Sequence, residues 1–454
     1  MAVKVKKRIE ELWEEIFDDF NIDAEISKNG FFEISADDIR AYKEPRLMTK
    51  FDNSSALPTC FWYNKKKKEG KHLSILPTSR GKYIIGAFDA YNTLDKSSGN
   101  LKRVHFPSKY ETLSINSINS EATALNVAYV SGILKDFIED DNLMPTVNGR
   151  MASGNFHFDM TLDKTIVPGK GTLTINIQNS QIEIDGGYEG DNTLSLIEAK
   201  NIISDDFLVR QVYFPYRTWD NKINKSINNV FMTYSNETYH LYQYQFEDIA
   251  SPESIKLVKR QSYTFNPPLD LEMIVDIAQN IKLVKEPQVP FPQADDFNKV
   301  LALCESLNRD EMEENYEPLT KVGVAIKFGF HLRQADYYIN AAKYLGFIEI
   351  VGGRNSPICL TRLGKEVFSL PSDEKNKKIV EAILAHEVFN KCFKEYLKYA
   401  GQLESQKVVA IMTQCKVCSL DDYSMSTYKR RASSVLSWIN WIVMLTKESI
   451  DYYI

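Results

Sequence analysis

Long apolar runs are missing from this 454-residue chain, which excludes a membrane-spanning helix. An apolar leader is missing as well. The opening MAVKVKKRIEELWEEIFDDF is charged at almost every turn, so a cytoplasmic location is expected. Cysteine is scarce, with six residues in the whole chain, and this excludes a disulfide scaffold and fits reduced thiols. Cys415 and Cys418 form one C-x-x-C, half of a zinc site, but no second pair follows it. His386 and Cys392 are the residues that would complete four ligands. The plainer reading is small buried apolar residues. An excess of positive charge is also lacking: the formal net charge is −6, which does not mark a nucleic-acid binder on global grounds. Repeats and low-complexity tracts are absent.

The chain does hold enough apolar material for several cores. Hydrophobic residues make up 43% and charged ones 26%, the proportions of a globular protein with two to four domains. Phosphate backbones respond to local charge, and residues 65–109 are locally basic, with eleven lysines and arginines against three acids. The opening segment reads as an amphipathic helix, with Ile9, Leu12, Ile16 and Phe17 at helical spacing. FFEIS and KYIIGAF read as short strands. A long helix is expected from Glu121 to Glu139. From about 150 to 290 strands dominate. VFMTY and YHLYQYQF flank the polar turn SNET as a hairpin. KEPQVPFPQADD, with three prolines, reads as a linker, and the remainder is mainly helical.

The most informative stretch is QIEIDGGYEGDNTLSLIEAKN. Asp185 is expected to end a strand, Gly186-Gly187 to turn, and a second strand to carry Glu198 and Lys200 on one face. Two carboxylates beside one ammonium suit a hard divalent ion such as Mg²⁺, with Lys200 placed to orient water and offset charge on a phosphate. Charges that interrupt an apolar strand are costly unless they are paired or metal-bound. A structural ion pair at a sheet edge is the alternative. Glu183, on the same strand face, is a rival ligand ranked below Asp185. DFLVRQVYFPYRTW follows as a helix ended by Pro215, with its aromatic residues expected in the core.

Asp185 and Glu198-x-Lys200 resemble the core motif of the PD-(D/E)XK nuclease superfamily, with Ile184 where that motif often has proline. The resemblance spans roughly residues 115–285. It implies Asp185 and Glu198 as metal ligands and Lys200 as a catalytic residue. It also implies Gln211 as a helper near water and Glu121 as a further metal ligand. Arg210 and Arg217 are candidate phosphate contacts.

Residues 319–368 are similar to a winged helix-turn-helix domain: LTKVGVAIKFGF, a turn near Gly329, LRQADYYINAAKYLGFIEI, then a Gly-rich loop and a strand. Arg333, Gln334, Tyr337 and Asn340 would face the major groove, while Ala335, Ile339 and Ala342 pack inward. Arg354 would sit at the wing tip. In the last 80 residues, Lys429, Arg430 and Arg431 at a helix start would meet phosphates.

A metal-dependent core beside winged helices resembles type II restriction endonucleases of prokaryotes. The fold expected is an α/β (α+β) restriction-endonuclease-like core with a mixed sheet flanked by helices, followed by mainly α winged-helix domains. The division expected is 1–112 (mixed, with possible DNA contact), 113–290 (nuclease), 295–371 (winged helix) and 372–454 (a second unit of that kind). The resemblance implies Mg²⁺-dependent cleavage of double-stranded DNA to a 5′-phosphate. It further implies a cognate methyltransferase as genetic partner and a homodimer. Without chemistry in the Asp-Glu-Lys set, the alternative is a DNA-binding regulator. A nuclease for repair or for modified DNA is a third reading.

Overall fold

A computed structural model describes residues 8–64, 69–95, 101–107, 109–115, 118, 120–310, 318–330, 332–353, 356–399, 403–417 and 425–446. It is a mixed α/β structure built on two main sheets and a helical C-terminal part. The larger sheet has seven strands in the order Leu101–Arg103, Ile255–Thr264, Thr238–Phe246, Ser226–Ser235, Thr193–Lys200, Gln181–Glu189, Met144–Ala152. Its neighbours are antiparallel except where Thr193–Lys200 meets Ser226–Ser235 and where Ile255–Thr264 meets Leu101–Arg103. The second sheet has five strands: Phe31–Ser35, Lys82–Gly86, Ser74–Ser79, Thr172–Gln178 and Asn155–Thr161.

Side-chain alternation divides the large sheet between two cores. Ile197 and Ala199 face the helices Glu121–Val130 and Ile133–Ile138, among Leu125, Leu134 and Phe137. Leu194 and Leu196 face the other way, into a core that also holds Trp13, Phe61, Ile85 and Phe214. The N-terminal segment therefore shares both a sheet and a core with the strands that follow it. The border expected at residue 112 does not separate two cores.

Three further local expectations give way to packing. The helix expected over 121–139 breaks at Gly132, whose φ of +77° is left-handed, and resumes at Ile133. Pro215 does not end its helix but lies inside Arg210–Trp219, where Tyr213 and Phe214 are buried. Residues 285–296 are not a free linker: Phe291 and Ala294 are buried, and the Ala294 carbonyl accepts the indole N–H of Trp438 at 2.9 Å. The hairpin forms where expected. Asn236 and Glu237, both at positive φ, make its two-residue turn.

One continuous core joins the helix Leu271–Asn280 to everything from Phe297 to Ile442. The helices Lys321–Phe328 and Leu332–Tyr344, the hairpin Ile348–Ile350/Ile358–Leu360 and the helix Arg362–Phe368 follow the expected order. The units expected at 295–371 and 372–454 are thus not separately packed. The second contributes helices, with no wing strand among the described residues. No helix among the described residues is long and apolar enough to cross a membrane.

Candidate active site

Glu198 and Lys200 lie at the C-terminal end of the strand Thr193–Lys200 and continue the row of Leu194 and Leu196. Where that apolar row ends, the core opens into a cleft of about 760 Å³, lined in part by Glu198, Lys200, Asp185, Glu121 and Gln211. Asp185 reaches it by a different device from the one expected. Its strand does not turn at Gly186-Gly187 but runs on to Glu189. The register against Met144–Ala152 slips between Ile184 and Gly187, and again before Tyr188. This is a β-bulge, and it switches faces: Ile184 packs in the N-terminal core, whereas Tyr188 packs on the opposite side. Glycine is required there because a Cβ on Gly187 would lie 2.9 Å from the Val147 carbonyl oxygen.

The bulge hands Asp185 to its neighbour strand, where Oδ2 accepts the Ala199 backbone N–H at 2.8 Å. Glu198 Oε1 accepts from the Lys200 ammonium and from Gln211 Nε2, the latter at 2.6 Å. Glu121, the first residue of its helix, stands 4.0 Å from Lys200 Nζ. Asp185 Oδ1 and Glu198 Oε2 accept no hydrogen bond among the described residues, yet neither is sealed from solvent. Gln211 Oε1 is buried with no partner among the described residues.

Burial pushes the Glu198 carboxyl up to about 8. Lys200 lowers it but is outweighed, and Asp185 adds to the rise. Burial also raises Asp185 and Glu121 against the pull of Lys200. Desolvation works against the Lys200 ammonium, but Glu198, Glu121, Asp52 and Asp185 together hold it charged. The cluster therefore carries more carboxylate than one lysine balances.

Two oxygens open to the cleft, with an orphaned amide oxygen beside them, fit a hard cation that keeps several of its own waters. A full protein cage does not exist: among the described residues no three His, Cys, Asp or Glu side chains stand close enough to enclose an ion. Glu183 also lines the cleft, but its carboxylate accepts from Arg150 Nε at 3.2 Å.

The other expected residues divide. Arg210 lines the cleft, but its guanidinium donates to the Gln181 carbonyl at 2.9 Å and lies over Phe214. Arg217 is not available to a phosphate. Its Nη1 donates to the carbonyls of His157, in the strand Asn155–Thr161, and Ile249, and to Tyr213 Oη. Arg333 and Gln334 are exposed on Leu332–Tyr344, Tyr337 and Asn340 are half-buried, and Ala335, Ile339 and Ala342 are buried as expected. The Arg333 Nε–H donates to Tyr337 Oη at 2.6 Å. Lys429 and Arg430 are exposed on Met425–Thr446, but Arg431 is 5% exposed and cannot share their surface; one step along a helix turned it into the core. Arg354 and Cys418 lie outside the described residues. His386 stacks on Tyr344 with centroids 4.1 Å apart.

Sequence reasoning missed Asp52, Arg46, Lys50 and Arg150, all of which line the cleft; Arg80, from the basic stretch 65–109, lines it as well. Asp52 is carried there by tertiary contacts: its carbonyl accepts the Leu208 N–H at 3.0 Å, and the adjoining Ser54 binds the Asp206 carboxylate. No local spacing signals these contacts. A smaller, mainly apolar cavity of about 210 Å³ lies on the other side of Arg210 and holds none of the clustered acids.

Comparison with known families gives three matches, each to a domain of unknown function: residues 10–85 (DUF6996), 86–264 (DUF6997) and 299–447 (DUF7226). Each covers less than half of the chain. No curated protein and no solved structure matches it. The border at 85/86 falls inside the strand Lys82–Gly86, whereas the one at 264 coincides with the end of Ile255–Thr264.

Proposed function

We propose that this protein is a Mg²⁺-dependent endonuclease of double-stranded DNA, of the type II restriction kind. The observation that carries the reading is the convergence of Asp185, Glu198 and Lys200 on one polar cleft, with Gln211 bonded to Glu198. Asp185 and Glu198 would hold the cation, and Glu121 would stand by as an outer ligand. Mg²⁺ held there would supply Lewis-acid polarisation of the phosphate and acidify nearby water. Lys200 orients the attacking water and offsets charge on the phosphoryl oxygens. The orphaned Gln211 Oε1 accepts a hydrogen bond from that water or a neighbouring one. The new bond joins water oxygen to phosphorus and the P–O3′ bond breaks, leaving a 5′-phosphate and a 3′-hydroxyl.

The helix-turn-helix with its hairpin supports a winged-helix reading, in which exposed Arg333 and Gln334 read base edges and the exposed Lys429 and Arg430 meet the backbone. A restriction role carries with it a cognate methyltransferase, a prokaryotic cytoplasm and two copies for two strands. The test is purified protein on plasmid or phage DNA, with Mg²⁺ or with chelator. Discrete fragments that vanish with chelator and with Lys200→Ala support the proposal. A smear favours a repair nuclease. Clean binding without cutting leaves a DNA-binding regulator.

A further inference from the structure

The acid cluster occupies one side of its cleft, and residues from the N-terminal segment form much of the rest. Arg46, Lys50 and Arg80 all line it, and Arg150 joins them from the edge strand Met144–Ala152. These cations come from separate, well-anchored places. Arg46 lies on the short helix Pro45–Met48, which is pinned where the buried Trp13 donates its indole N–H to the Met48 carbonyl at 2.8 Å. Arg80 sits in the turn between Ser74–Ser79 and Lys82–Gly86, beside Gly81 at φ +76°. Lys50 is 3.9 Å from Asp52, whose carbonyl is tied to Leu208 just ahead of the Gln211 helix. Arg46 and Arg80 are exposed and form no ion pair with any described residue.

A single small anion would be met by cations converging on one point. Here they come from three N-terminal stretches and one edge strand, around a cleft that the acid cluster also lines. That arrangement suits a polyanion laid across the cleft, with successive phosphates neutralised on either side of the group at the acid cluster. We infer that the N-terminal segment is a working wall of the substrate cleft, and that Arg46 and Arg80, with Lys50, grip the backbone phosphates of a DNA strand. This deepens the nuclease reading and rests on it for the identity of the polyanion. It also explains why the segment shares a core with the catalytic sheet: a wall that must hold phosphates against Asp185 and Glu198 cannot be loosely tethered.

The test measures binding of the full chain to a labelled DNA duplex in chelator across a range of salt, so that no cutting is needed. Each neutralised phosphate contributes about 0.9 to the slope of log affinity against log salt. Arg46→Ala and Arg80→Ala should each lower that slope by about one, and the double variant by about two, with weaker binding at every sequence. Arg46→Lys should retain the slope. Thermal midpoints of the variants should match the wild type, because both side chains are exposed. An unchanged slope in the double variant overturns the inference even if Mg²⁺-dependent cutting is found. A reduced slope without any cutting supports the wall and removes the hydrolytic reading. No binding to any duplex overturns both.

Discussion

Lys375 sits on the helix Ser372–Leu384 with its amine between Glu237, at 2.7 Å, and Glu305, at 3.1 Å. Lys200 sits beside Glu198, with Glu121 and Asp185 near it. Both ammonium groups are buried among carboxylates, and in both that attraction outweighs the cost of burial. The surroundings differ. Around Lys375 the side chains are 8%, 15% and 21% exposed, and the ammonium donates to both glutamates, which locks the hairpin turn of the sheet to the C-terminal helices. Around Lys200 the acids Glu198, Asp185 and Glu121 all line an open cleft, and the Gln211 amide oxygen has no partner among the described residues. The same residue types make a fastener when they are enclosed between packed elements, and a candidate reaction centre when they line a cleft.

This contrast can be broken by exchanging the losses. Lys375→Ala leaves two buried acids without their cation and should cost about 3–5 kcal/mol of stability, read from urea unfolding. Replacing Glu237 and Glu305 by glutamine in the same variant should return most of it. Lys200→Ala should cost clearly less, because its acids border an open cleft and can take up protons, while cutting falls by about 10²–10³-fold. If Lys200→Ala proves the more destabilising of the two, Lys200 is a structural residue like Lys375.

A smaller effect sharpens the same comparison through pH. Glu198, Asp185 and Glu121 all have folded-state values raised above their ordinary ones. The folded state therefore holds their protons more tightly than the unfolded chain. The stability this gives is fully present below about 4.5 and is lost as pH rises through about 8. Lys200, raised in the other charge sense, stays protonated throughout that window and adds no slope. Metal-free protein should lose stability across it, and Glu198→Gln should flatten the decline, ending at least ~1 kcal/mol more stable than wild type at the alkaline end. Mg²⁺ should reverse the trend, binding more tightly at higher pH with release of protons. Thermal melts in chelator and in Mg²⁺ across that range check it.

Much of the candidate site could be read locally. Strand alternation alone puts Glu198 and Lys200 on one face, and the helix that follows is short enough to bring Gln211 over them. What stayed hidden depends on partners distant in sequence. Gly186-Gly187 has the composition of a turn, and only the approach of Val147 makes it a bulge. Arg217 looked like a phosphate contact until His157, on a strand of the second sheet, and Ile249 supplied carbonyls for it. Arg431 belongs to a basic triplet by sequence, yet helical geometry sends it inward while Lys429 and Arg430 stay out. The linker reading has the same limit: proline-rich text at 285–296 marks irregular backbone, but buried Phe291 and Ala294 make it part of a core. Asp52 has no local signature at all.

The central claim is that Asp185 and Glu198 form a cation site beside Lys200. Calorimetric titration of Mg²⁺ into the wild-type chain, Asp185→Asn and Glu198→Gln at alkaline pH tests it most directly. The account predicts saturable binding in the wild type that is lost or greatly weakened in both variants. Binding that is absent from the wild type, or unchanged in the variants, would contradict it.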